Sequence, residues 1–265
     1  MPAIDPDRLT RQVAKVAAAI GDPTELRRRT LDVLEFYADR TRRPGASTQV
    51  DDVPPAFGVA RPVMRALTVS LLRAVAARPE NTQPAAEALW RAESRETRLL
   101  AAALIGDLKG EDAPTWIERY FTATDDNFVM LEMAGRGLAS WRKSDPSGVV
   151  DNLARWLDSS QRPLQHLALL AMAAAVDDPE FRQLPQLFTL LSGRSGSFRG
   201  ETRNAFTRAV KALARRSPPE TTHFLLAELA TGDPGAVRLA RIVIDSLPAD
   251  NAARLRQALP RPRGR

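Results

Sequence analysis

Residues 22–37 read DPTELRRRTLDVLEFY, and the pattern of these residues indicates the fold class. An aspartate is followed directly by a proline, and apolar residues such as Leu26 and Val33 then recur at the spacing of one helix face. Asp caps helix N-termini well, and Pro suits the first helical position because its missing N–H would have no partner there. The stretch therefore predicts an amphipathic helix that begins at Asp22-Pro23.

The same pattern recurs along the chain, at Asp145-Pro146, Asp178-Pro179 and Asp233-Pro234. Good helix formers (Ala, Leu and Arg) fill the other periodic segments, and the alternating runs expected of strands are missing from the sequence. Helices are predicted at 7–19, 25–37, 62–77, 82–92, 95–108, 113–122, 127–141, 149–157, 163–175, 181–191, 202–215, 219–230 and 236–247. This predicts an all-α fold, a HEAT-like helical-repeat solenoid (an α-α superhelix) with a concave basic groove. An irregular α-bundle is the alternative.

The domain organisation is predicted from the breaks in this pattern. One solenoid domain is expected over residues 1–255, interrupted by an irregular loop at 41–55 and followed by a basic, Pro-rich tail at 256–265 that we expect to be disordered. The sequence has neither a secretory h-region nor an apolar run long enough to span a membrane, which predicts a cytoplasmic protein.

Cysteine and histidine usage excludes several classes of site. The 265 residues include no cysteine, which excludes disulfide scaffolds, thiolate zinc sites and cysteine nucleophiles. The two histidines, His166 and His223, do not form a metal-binding motif such as HExxH. We therefore predict no metal and no cofactor.

Positive charge is concentrated in one part of the chain. The sequence carries 38 basic and 32 acidic residues, for a net charge of +6, and all but four of the basic residues are arginine. Residues 136–216 hold the whole excess, and residues 192–217 contain seven basic side chains with Glu201 as the single acid. A block of this kind is the electrostatic pattern expected of a phosphate-binding surface, although a GC-rich coding bias also raises arginine content.

The predicted helix at 202–215, TRNAFTRAVKALAR, lies within this basic block. Its apolar residues form one stripe, and Arg208 and Lys211 lie three residues apart on its flank. The preceding glycine-rich stretch, 192–200, lacks the Lys-Ser/Thr ending of a nucleotide-binding loop. Contacts to DNA phosphates are one interpretation of both segments, and a solvated helix face after an ordinary loop is the other.

Three stretches then stand in order along the chain: FGVARPVMRAL at 57–67, Leu89-Trp90 with Glu96-x-Arg98 and the Ala-rich run 101–105, and Asn204-Ala205-Phe206 through Arg216-Ser217-Pro218. In order and spacing, over about residues 30 to 230, they resemble the AlkD-like DNA alkylation repair family. Members of this family are helical proteins with HEAT-like repeats, and the active ones are glycosylases for alkylated purines. The resemblance implies this fold and DNA binding.

The resemblance also indicates which positions correspond to the family's active site. The stretch 125–130 corresponds to a Trp-Trp-Asp-Thr-Val-Asp run, which puts Asp126 in place of a lesion-contacting Trp and Met130 in place of the catalytic Asp. Arg208 corresponds to a second lesion-contacting Trp, whereas Lys211 keeps a basic phosphate-contacting position. Cleavage of a glycosyl bond builds positive charge on the sugar, which a carboxylate stabilises. The resemblance therefore implies the scaffold and DNA binding more strongly than glycosylase activity.

The leading hypothesis is a monomer that binds duplex DNA through phosphate contacts and takes part in the repair or recognition of alkylation damage. The predicted contact residues are Arg136, His166, Arg199, Arg203, Arg208 and Lys211. One alternative is a non-catalytic scaffold for protein–protein interaction that binds an acidic partner in the same groove. Another is a glycosylase that uses other residues, for which Glu132 is the available carboxylate.

Overall fold

The computed structural model describes residues 4–39, 56–108 and 112–260, and within these ranges it contains helices and no strand. The α-helices are α1 (Pro6–Ala18), α2 (Pro23–Phe36), α3 (Arg61–Ala77), α4 (Thr82–Trp90), α5 (Arg95–Ile105), α6 (Asp112–Phe121), α7 (Asn127–Gly135), α8 (Ala139–Ser144), α9 (Pro146–Leu157), α10 (Arg162–Asp177), α11 (Leu184–Leu191), α12 (Gly200–Arg216), α13 (Pro218–Ala230), α14 (Pro234–Val243) and α15 (Ala249–Ala258). Short 3₁₀ helices follow α3, at Pro79–Asn81, and α14, at Ile244–Ser246. The all-α prediction is confirmed.

Of the four Asp-Pro pairs named in the prediction, three begin helices for the predicted reason. The carboxylate of Asp22 accepts hydrogen bonds from the backbone N–H groups of Thr24 and Glu25, at 3.0 and 3.1 Å. Asp145 and Asp233 accept in the same way at the starts of α9 and α14. Each carboxylate satisfies N–H groups that have no partner inside the helix, and it lies at the positive end of the helix dipole.

Asp178-Pro179 does not start a helix. The helix predicted at 181–191 exists, but its predicted start was wrong. Asp178 ends α10, and its side chain accepts from the N–H of Glu180 at 3.0 Å in a turn. The turn buries Phe181, and α11 begins only at Leu184, with Pro185 in its first turn. An Asp side chain bonds to a backbone N–H two residues later in a turn as readily as at a helix start, so the dipeptide alone does not distinguish the two.

The helix predicted over 127–141 is interrupted. Helix α7 ends at Gly135 and α8 begins at Ala139, because the carbonyl of Glu132 accepts from the N–H groups of both Arg136 and Gly137. A Cβ atom on Gly137 would lie 2.5 Å from the carbonyl oxygen of Met133, so only glycine fits this close approach.

Helix α15 was not predicted. Residues 249–258 are mostly Ala, Asp, Asn and Arg, and only Ala252 and Leu255 are buried. Two buried residues in ten give too little periodicity to indicate a helix from the sequence. Helix α15 includes residues 256–258, the first three of the predicted tail, whereas residues 261–265 and the predicted loop at 41–55 lie outside the described residues.

The chain divides into two compact units, Met1–Trp141 and Arg142–Arg265. In the first, α1, α3, α5 and α7 contact one another in succession, and α2 contacts α4. Residues 100–105 of α5 are all buried and belong to the core of this unit. In the second, α10, α12 and α14 form one such series, α9 contacts α11, and α13 contacts α15. Contact between alternate helices is consistent with a helical-repeat fold. The single domain over 1–255 stays a prediction.

Candidate functional site

Helix α12 separates apolar and cationic side chains onto different faces. The predicted stripe of Ala205, Phe206, Ala209, Val210 and Leu213 is buried, at 3% relative exposure or less. Asn204, Arg208, Lys211 and Arg215 recur every three or four residues on the other side, which is the spacing of one helical row. The apolar face of α12 is buried against α10 and α14, and this packing therefore fixes the orientation of the cationic face.

A cleft of about 880 Å³ lies in the second unit, beside this cationic face. Its walls are α12, α14, the end of α10 and the loop before α12. Six cationic side chains and two carboxylates line it: Arg199, Arg203, Arg208, Lys211, Arg215 and Arg238, with Asp177 and Asp233. Four of the six predicted contact residues therefore meet in one cleft.

Most of the cleft's cations have no acidic partner among the described residues. Arg215 pairs with Asp177 at 3.4 Å, and Arg199 donates to the carbonyl oxygens of Gly196 and Phe198. Within the described ranges, no carboxylate lies at ion-pair distance from the other four, which are Arg203, Arg208, Lys211 and Arg238. Uncompensated cations along a cleft attract anions, and they bind phosphate by charge-assisted hydrogen bonds.

Arg238 was missed by the sequence analysis. It belongs to α14, outside the basic block, and reaches the cleft because α12 and α14 are in contact. Nothing in the local sequence distinguishes it from the other exposed arginines of the chain, since only the packing of two helices brings it to the site.

A buried glutamate holds the loop before α12 in place. Glu228 of α13 is 5% exposed, and its carboxylate accepts from the backbone N–H of Gly193, at 2.7 Å, and from the hydroxyl of Ser195. Gly193 has a φ of +72°, a conformation that favours glycine. The N–H of Gly193 is therefore engaged within the protein. The guanidinium of Arg194 is also engaged, because it pairs with Asp158. The sequence gives one indication of this role, because Glu228 falls on the apolar face of its helix with Phe224 and Leu225.

Two glycines allow this loop to approach the start of α14 closely. A Cβ atom on Gly196 would lie 2.6 Å from a carboxylate oxygen of Asp233, and one on Gly235 would lie 2.6 Å from the Cα of Gly196. Distances this short are not tolerated by any residue with a side chain. The loop and the first turn of α14 therefore form one continuous wall of the cleft.

The remaining two predicted contact residues lie elsewhere. His166, on α10, is half-buried and is not among the residues that line the cleft. Burial lowers its pKa, and the nearby carboxylate of Glu201 opposes this shift. Arg136 follows α7 in the first unit, where its guanidinium pairs with Glu132 at 3.1 Å. Their contribution to ligand binding stays a prediction.

Helix α7 also carries the positions that the resemblance matches to catalytic residues. Asp126 is buried, caps the helix through the N–H of Phe128 at 2.9 Å, and pairs with Arg95 at 2.5 Å. Met130 is half-buried. Burial raises the pKa of Glu132, and the charge of Arg136 opposes that effect. Asp126 therefore has a structural role here.

A second buried glutamate joins two of the stretches that carry the resemblance. The carboxylate of Glu96 accepts from the backbone N–H groups of Phe57 and Gly58, at 3.1 and 2.8 Å. The guanidinium of Arg98 lies over the ring of Trp90, 5.0 Å from its centroid. The residues of these motifs thus hold the segment at 57–58 against α5 and connect α5 to α4.

The described ranges contain neither a candidate membrane-spanning helix nor a candidate metal-binding cluster. No helix in them is both long enough and apolar enough to cross a membrane. No group of three or more His, Asp or Glu side chains in them is arranged to hold a metal ion.

Comparison with known proteins identifies the family. No curated protein and no solved structure matches the chain. A family model described as DNA alkylation repair enzyme matches residues 30–244, which extend from α2 to the end of α14 and include the cleft on α12. This match covers most of the chain and agrees with the three motifs. The protein therefore belongs to the DNA alkylation repair enzyme family, which indicates a role related to DNA repair.

Proposed function

We propose that the protein binds duplex DNA through phosphate contacts in the cleft of its second unit, as part of the repair or recognition of alkylation damage. The observation that carries the proposal is the set of four cations in the cleft, Arg203, Arg208, Lys211 and Arg238, that have no acidic partner among the described residues. Membership of the DNA alkylation repair enzyme family supports DNA as the anion. The helices of each unit are proposed to form HEAT-like pairs.

The spacing of the cations suits a polyanion. The row from Asn204 to Arg215 extends about 16 Å along the axis of α12, because an α-helix rises about 1.5 Å per residue. Duplex DNA carries about one negative charge per 1.7 Å of its axis, so a row of this length faces several phosphates. An arginine fork also binds a phosphate with two parallel hydrogen bonds.

The proposal assigns DNA binding rather than cleavage of a glycosyl bond. The position matched to a lesion-contacting Trp is Asp126, whose carboxylate is engaged by Arg95 and by the backbone of α7. Met130, at the position of the catalytic Asp, offers no carboxylate. Glu132 is the nearby acid, and its charge is already paired with Arg136. These observations support recognition of DNA without the chemistry of the family's active members.

The experiment that tests the proposal is fluorescence anisotropy with a labelled duplex over a series of salt concentrations. Contacts to about four phosphates release bound counterions, so we expect affinity to fall by about 100-fold between about 50 and 200 mM salt. Unlabelled duplex of any sequence should displace the labelled one, whereas polyglutamate should not. No binding at low salt contradicts the proposal, and displacement of the labelled duplex by polyglutamate as effectively as by unlabelled duplex supports an acidic protein as the ligand.

A further inference from the structure

Phe128, in the first turn of α7, is exposed in a way that packing does not explain. It is 63% exposed, compared with 38–42% for the other large apolar side chains that are exposed in the described ranges. Its sequence neighbours Asp125 and Asn127 are polar and exposed, and the other large apolar side chains exposed in the described ranges, Phe36, Val69 and Ile242, belong to other helices. A single ring among polar groups is too small for the apolar core of a stable protein interface.

Two residues, Asp126 and Arg95, hold this ring in one orientation. The buried carboxylate of Asp126 accepts from the backbone N–H of Phe128 with one oxygen, and it pairs with the Nε of Arg95 through the other. The guanidinium of Arg95 in turn lies over the ring of Phe128, 5.0 Å from its centroid. The contacts form a closed triangle, so one face of the ring is supported while most of the side chain stays exposed. A ring fixed in advance loses little conformational entropy when a ligand binds.

The chemistry around the ring favours a flat aromatic ligand attached to phosphate. An aromatic side chain stacks on any nucleobase, because every base has a π face. Arg136 follows α7, eight residues after Phe128, and it is exposed, with its guanidinium paired with Glu132. Bases inside an intact duplex are stacked on each other, so this ring is available only to a base that has lost its partner.

We propose that Phe128 is a stacking platform for an unpaired nucleobase, so that the protein prefers duplexes with a bulged or mispaired base. This inference rests on the proposed DNA binding and adds to it the structural class of DNA that is bound.

The test compares a paired duplex with one that carries a single bulged 2-aminopurine, a fluorescent base. We expect the protein to bind the bulged duplex about tenfold more tightly, which corresponds to the stacking of one base on one aromatic ring, and to quench the 2-aminopurine. Phe128→Ala should remove both effects and leave affinity for the paired duplex unchanged. Phe128→Tyr should retain them. Phe36→Ala is the matched control, because Phe36 is also exposed and also lies under an arginine, Arg8.

Each outcome separates the two proposals. Equal affinity of the wild-type protein for both duplexes overturns the platform and leaves DNA binding intact, whereas binding to neither duplex overturns the proposed function. A Phe128→Ala variant that loses affinity for both duplexes equally shows a general contact instead of a platform. Dissociation of a dimer by Phe128→Ala, with the preference kept, assigns the ring to a protein interface and overturns the inference.

Discussion

Reversal of the two central cations of the cleft, by Arg208→Glu together with Lys211→Glu, should weaken duplex binding by about 100-fold or more. Each side chain is expected to donate a charge-assisted hydrogen bond to phosphate, and such bonds contribute about 1.5 kcal/mol or more, so the loss of two lowers affinity by about two orders of magnitude. The new carboxylates add repulsion. Anisotropy at low salt measures the effect, because screening reduces it at high salt.

The matched control is Arg11→Glu with Lys15→Glu on α1. This pair has the same residue types, undergoes the same change of charge and is exposed in the first unit. We expect it to weaken binding only slightly, through the change in net charge. Circular dichroism should show the same helix content for both double variants. An equal loss of affinity in the two would mean that overall charge, and not the cleft, governs binding.

Removal of the buried carboxylate in Glu228→Ala should lower the free energy of unfolding by about 2–4 kcal/mol. The N–H of Gly193 and the hydroxyl of Ser195 lose their acceptor and stay largely out of contact with water, and a buried group left without a partner costs about 1–3 kcal/mol. Urea denaturation, followed by circular dichroism, measures the change. The same variant should weaken DNA binding, since the loop it holds forms a wall of the cleft and carries Arg199.

Two further variants distinguish this role from a general effect of charge. Glu228→Gln keeps one carbonyl oxygen for Gly193, and the hydroxyl of Ser195 can turn to accept from the new amide, so the loss of stability should be smaller than with alanine. Glu220→Ala removes an exposed carboxylate from the same helix, and we expect a change of less than about 1 kcal/mol. A Glu228→Ala protein as stable as Glu220→Ala would contradict the account of the loop.

Local chemistry made most of the helices predictable. The caps at Asp22, Asp145 and Asp233 follow from the geometry of an Asp-Pro pair at a helix start, which needs no information from distant parts of the chain. Asp178 shows the limit of this argument, since burial of Phe181 selects a turn in place of a helix start. Helix α15 shows another limit. Its two buried residues are too few to indicate a helix from the sequence, but they are enough to hold the helix in place once it packs against α13.

The residues of the site that lie on α12 were predictable from the sequence, whereas those that neighbouring helices contribute were not. The spacing of Arg208 and Lys211 on α12 placed them on one flank from the sequence alone. Arg238 and Glu228 depend on which helices lie beside α12 and on how closely two glycines let the loop approach α14, and these are properties of the packed unit. The exposure of Phe128 is a property of the same kind, since the sequence places it in an apolar run.

Lysine acetylation in the presence of a duplex measures whether DNA occupies the cleft on α12. The chain has only four lysines, Lys15, Lys109, Lys143 and Lys211, and Lys211 is the one that lines the cleft. Mass spectrometry of the digested protein gives the rate of acetylation at each lysine. We predict that a saturating duplex slows acetylation of Lys211 several-fold and leaves Lys15 unchanged. A duplex that binds, as shown by anisotropy, without any protection of Lys211 would contradict the account.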